Sequence, residues 1–74
     1  MALVTYKRFY DGFNNKVGEI EIHEYDHELG TVEIVFTDAD ADRVYFTNTD
    51  ELHLTEMIDM LHEARMHTQR NSQK

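Results

Sequence analysis

Five histidines and fifteen carboxylates are the side chains from which this chain could build chemistry. The histidines are His23, His27, His53, His62 and His67. His23 and His27 lie four apart and would make a zinc pair only on a helix, where both share one face. Here they straddle a strand end and a loop, so no metal ligands are expected. Asp38, Asp40 and Asp42 alternate like the opening of a calcium loop. That loop needs Gly at its sixth position and Glu at its twelfth, and here Arg43 and Thr49 stand there. The run is read as a solvated turn. Nucleophilic catalysis lacks parts: there is no cysteine, and the one serine is Ser72. Gly12, Gly18 and Gly30 are too scattered to cradle a phosphate. No catalytic residue and no cofactor is expected, and the chain is read as a non-enzyme.

What remains is charge, and its distribution is uneven. Residues 1–18 carry Lys7, Arg8 and Lys16 against Asp11, a balance of +2. Residues 19–59 carry thirteen acids against Arg43 alone, a balance of −12. Residues 60–74 carry Arg65, Arg70 and Lys74 against Glu63, again +2, for a total of −8. Such a field opposes direct binding to a phosphate backbone, which needs clustered Lys and Arg. It favours a basic protein surface or serves solubility.

The elements that position these charges follow from period. Residues 18–36, GEIEIHEYDHELGTVEIVF, hold two apolar rows that alternate with charge, as a strand with one dry face does. They read as a hairpin closed by a loop from Asp26 to Gly30. Setting Ile22 opposite Ile34 puts Ile20 against Phe36, His23 against Glu33 and Glu21 against Val35. A slip of two residues would oppose Glu21 to Glu33. Directly opposed like charges destabilise a sheet, whereas opposite charges contribute about 0.2–1 kcal/mol, so the first register is preferred. It gathers Glu19, Glu21, Glu33 and His23 on an outer face with Val35 and Tyr45 among them, and Tyr6 or Phe9 joining. His23 opposite Glu33 also allows a minor reading as a pH sensor.

Around the hairpin, residues 3–10 read as an edge strand with mixed faces, and Asp11-Gly12 as a turn. Phe13 is expected to tuck under the sheet. Residues 43–47 read as a fourth strand with Val44 and Phe46 inward, and 51–54 as a short fifth. A helix is expected from Thr55, acting as N-cap, to about His67. Its stripe Leu54, Met57, Ile58, Leu61 and Ala64 should lie on the face of Ile20, Ile22, Ile34, Phe36, Val44 and Phe46. Asp50 is the alternative N-cap. The fold class is therefore α+β: an antiparallel β-meander of four to five strands with one C-terminal helix packed on one face. Residues 1–67 form one domain, and 68–74 a flexible polar tail.

Without cysteine, no disulfide staples this small chain. A single core below about 70–80 residues rarely suffices alone, so a homodimer through an uncovered sheet face or edge is expected. No run reaches the ~20 apolar residues of a membrane span, and MALVTYKR shows no signal-peptide pattern. A cytoplasmic location is expected. Size, charge and the want of an active site are typical of small regulatory or inhibitory proteins, including those phages make. The expected function is binding to a basic protein, such as one that handles nucleic acid, and regulating or inhibiting it. The contact residues would be Glu19, Glu21, Glu33, Val35, Asp38, Asp40, Asp42 and Tyr45, in the sharper version as a nucleic-acid mimic. The rival reading is a sponge for a small ligand or nucleotide between subunits, lined by Tyr, His and Arg.

Overall fold

Four aspartates, each just after a strand or at its last residue, divide the chain. Asp11 Oδ1 accepts the backbone N–H of Phe13 and Asn15 at 2.8 and 3.0 Å. Asp26 Oδ1 accepts those of Glu28 and Leu29 at 2.9 and 3.0 Å. Asp38 Oδ1 accepts those of Asp40 and Asp42, both at 2.9 Å. Asp50 Oδ1 accepts that of His53 at 3.0 Å. A short side chain that bonds its own backbone a few residues on is what makes Asp a turn and N-cap residue.

Between these points run the elements of the computed structural model, which describes residues 2–72. They are β1 (Leu3–Tyr10), β2 (Lys16–Asp26), β3 (Thr31–Asp38), β4 (Arg43–Thr49) and α1 (Glu51–Ser72). The strands form one antiparallel sheet in the order β1-β2-β3-β4. The fold is thus the expected α+β meander followed by a single helix.

The expected hairpin register is the one observed: Ile22 opposite Ile34, Ile20 opposite Phe36, Glu21 opposite Val35 and His23 opposite Glu33. The pairing of β3 with β4 adds Phe46 opposite Ile34 and Val44 opposite Phe36. The rings of Phe36 and Phe46 meet edge to face at 5.5 Å, an arrangement that aromatic quadrupoles favour. One sheet face is therefore apolar. Gly18 is required beside it, because a Cβ there would come within 2.8 Å of the Thr37 carbonyl oxygen. In β1 a register shift pairs Leu3 with His23 and Thr5 with Ile22, so these two do not share a face as strict alternation expects.

Four expectations need correction. Residues 51–54 form no fifth strand: the helix starts at Glu51, with Asp50 as its N-cap. Thr55 lies inside the first turns, its hydroxyl donating to the Glu51 carbonyl at 2.9 Å. His53 is tolerated near the positive helix end because Asp50 Oδ1 lies 2.9 Å from its Nδ1. Phe13 does not tuck under the sheet; it is 87% exposed. Finally, the helix does not lie on the apolar face of its own sheet. Leu54 and Met57 are half-buried, but Ile58 and Leu61 are 65% and 69% exposed. The helix also continues through residues 68–72, where a polar tail was expected; residues 73 and 74 lie outside the described ones.

The consequence is a thin core. Among the described residues the buried apolar side chains are Ile34 and Val35, each 4% exposed and on opposite faces of β3. The Cα radius of gyration is 14.6 Å, against about 11 Å for a compact domain of this length.

Candidate protein-binding surface

The second sheet face carries the charge. Residues directly opposite one another share a face, so two rows cross it. One runs Arg8, Glu19, Thr37, Arg43, and the other Tyr6, Glu21, Val35, Tyr45. His23 and Glu33 form the start of a third. Glu19, Glu21, Glu33, Val35 and Tyr45 thus fall together as expected from the sequence, and Tyr6 joins them. Phe9 instead lies opposite Gly18 and lines a shallow cleft of about 350 Å³ with Ile20, Phe36 and Val44 on the apolar side.

Three cations share this surface: Arg43, which strand alternation already sets outward with Tyr45, and Arg8 and Lys16, which the sequence reading did not assign to it. Glu19 Oε1 lies 3.0 Å from Lys16 Nζ and 3.2 Å from Arg8 Nε. The Lys16 hydrogen bond, helped by the charges of Lys16 and Arg8, holds the Glu19 carboxyl below the usual carboxylate range despite some desolvation. Arg8 is kept more firmly charged by the oxygens of Tyr10 and Tyr6, and its Nε donates to Tyr6 Oη at 3.1 Å. The Tyr45 oxygen does the same for Arg43, with help from the charges of Glu21 and Glu19. Glu21 Oε1 lies 3.4 Å from His23 Nε2, so the histidine meets the acid two residues back rather than Glu33 across the strand. Val35 is buried between its neighbours and serves the sheet; Tyr45 is exposed. The signal for the cations was the β1–β2 register, which places Arg8 opposite Glu19, but two irregularities in that pairing hide it from simple alternation.

Uncompensated acid lies at the end of the sheet. In a meander, alternate connections emerge at the same end, so the Asp11–Asn15 loop and the Asp38–Asp42 turn are neighbours. The turn is closed by Asp38 N–H to the Asp42 carbonyl at 2.9 Å, and by Ala41 N–H to the Asp38 carbonyl at 3.1 Å. Ala41 adopts φ 69°, a left-handed conformation that costs a non-glycine residue roughly 1–2 kcal/mol. The Asp38 carboxylate turns inward onto the backbone, while Asp40 and Asp42 stand exposed. Among the described residues no Lys, Arg or His forms an ion pair with any of the three.

Among the described residues no group of three His, Cys, Asp or Glu side chains is placed to hold a metal ion. No described helix is long and apolar enough to cross a membrane. No protein-family model, curated protein or solved structure matches the chain.

Proposed function

We propose that this is a small non-enzymatic interaction protein that binds a basic surface of another protein and thereby regulates or inhibits it. The observation that carries the proposal is the Asp38–Asp42 turn, whose exposed Asp40 and Asp42 carboxylates have no cation beside them among the described residues. They adjoin the face of Glu19, Glu21, Glu33 and Tyr45, where tyrosine among acids makes an interface-like mixture. In its sharper form the surface is a nucleic-acid mimic, with carboxylates spaced like phosphates along a basic groove of a protein that handles nucleic acid. The cytoplasm is the proposed compartment, which a chain without cysteine fits.

The pairing of Glu19 with Lys16 and Arg8 moves the weight of the proposal from the strands to the turn. The test is therefore Asp40→Lys with Asp42→Lys, which spares the Asp38 acceptor. A partner captured from the source cell would be titrated against wild type and this variant at low and high salt. The variant should associate at least about tenfold more slowly at low salt, and salt should slow the wild type, as steered encounters behave. A folded variant that associates as fast as wild type at both salt concentrations removes the acidic surface from consideration.

A second reading is favoured by one observation: exposed Tyr6, Tyr10 and Tyr45 accompany Arg8 and Arg43 on one face. Aromatic rings beside guanidinium groups could take a nucleobase and a phosphate in a sponge between subunits. Calorimetry with nucleotides separates the two, since a heat of nucleotide binding belongs only to the sponge.

A further inference from the structure

We propose that the apolar sheet face is covered by the helix of a second copy of this chain, with the two copies exchanging helices about a two-fold axis. The first support is the link between β4 and α1. The strand ends at Thr49 and the helix begins at Glu51, leaving Asp50 alone between them. Connections between strands and helices commonly need about 2–6 residues. A single residue, committed as N-cap, cannot turn the helix back over its own sheet. The stripe begun by half-buried Leu54 and Met57 therefore runs on into solvent at Ile58 and Leu61.

The surfaces match in size. A helix of 22 residues is about 33 Å long, more than enough to cross four strands spaced about 4.8 Å apart. On the sheet, Val44 is 56% exposed and Phe46 44%. The whole chain exposes 6210 Å², whereas a compact monomer of its mass would expose about 4,800 Å². The excess of about 1,400 Å² per copy would make a total interface near 2,800 Å², within the range of obligate homodimers. A reciprocal contact of one patch with its own kind is the isologous interface of a two-fold dimer.

The closing experiment does not depend on the acidic partner. Sedimentation equilibrium from low to high micromolar concentration should give twice the chain mass. Added salt should strengthen the association, because each copy carries −8, whereas the proposed encounter with a basic partner weakens. Leu61→Asp should raise the dissociation constant at least a hundredfold. Leu52→Asp, 65% exposed against 69% for Leu61 but nine residues away and so on the far side of the helix, should leave it within about threefold. Should Leu61→Asp fail to fold, single-cysteine variants decide, since the chain has no cysteine of its own. Leu61→Cys mixed with Ile20→Cys, Ile22→Cys or Val44→Cys should give a disulfide between chains, and mixed with Glu21→Cys should not. A wild-type monomer at high micromolar concentration overturns the proposal. So does a dimer whose Leu61→Cys links as readily to the charged face as to the apolar one.

Discussion

Strand β3 and helix α1 are both rich in apolar residues, yet the chain treats them oppositely. β3 lies between β2 and β4, and its Ile34 and Val35 are buried on opposite faces of the sheet. α1 carries Ile58, Met60 and Leu61, all exposed. The difference shows where burial comes from in this molecule. Neighbouring strands in the sheet plane supply it, because β3 is flanked on both sides by long side chains. A second layer, which ordinarily covers a sheet, is missing from the single chain.

The sharpest test of this contrast pairs two truncations. Ile34→Ala should cost about 2–5 kcal/mol at any protein concentration, as a buried large-to-small change does. Leu61→Ala should cost no more than about 0.5 kcal/mol where copies are separate, as for other surface changes. Its cost should then grow as concentration rises and copies associate. Urea midpoints at two protein concentrations check both, and a concentration-independent loss at Leu61 would mean that the helix is covered within its own chain.

A smaller effect probes the sheet alone. Gly18→Ala drives a methyl group to 2.8 Å from the Thr37 carbonyl oxygen, and backbone must yield, at about 1–3 kcal/mol. At Gly12 nothing lies within 4 Å of the added atom, so Gly12→Ala should change the urea midpoint little. Equal midpoints for the two variants would show β2 and β3 to be less tightly apposed than described.

The smallest effect lies at the helix start. Asp50→Ala should cost about 1 kcal/mol by removing the N-cap. It should appear as lost ellipticity at 222 nm with the sheet signals unchanged. Loss of the sheet at the same denaturant concentration would instead show that α1 and the meander form one cooperative unit.

Much of the fold was legible in the sequence, and the misses share a cause. The hairpin register could be read because a slip would oppose Glu21 to Glu33, and the strands because Asp-led turns punctuate them. From the sequence, Thr55 reads as an N-cap with Glu56 suiting the helix dipole, and a protonated His53 reads as unfavourable near that dipole. The Asp50 contact that neutralises this objection is a matter of side-chain geometry. With the helix starting at Glu51, only Asp50 links it to β4, and the stripe does not reach the face expected for it. An apolar stripe states that something covers it, not which chain does. On the charged face the acids and Arg43 were legible from their period, whereas Arg8 and Lys16 were not. Their positions depend on a β1 register with two irregularities and on the short reach from Lys16 to Glu19.

The four turn-forming aspartates separate this protein's shape from its acidity. Each connection uses a carboxyl oxygen as an acceptor for backbone N–H, and the amide oxygen of Asn offers the same acceptor. Asp11 gains from being ionised, because the N–H groups of Asn15 and Phe13 hold its carboxyl below the ordinary range. Its contribution is present above the unfolded value and fades as pH falls through the lowered one. At Asp26 and Asp38 the oxygen serves as an acceptor for backbone N–H groups of the turn. A lineage carrying this fold could therefore set its surface potential almost independently of its architecture. Charge here is largely a tunable property laid over the frame, which needs it at Asp11 and at Asp50 beside His53.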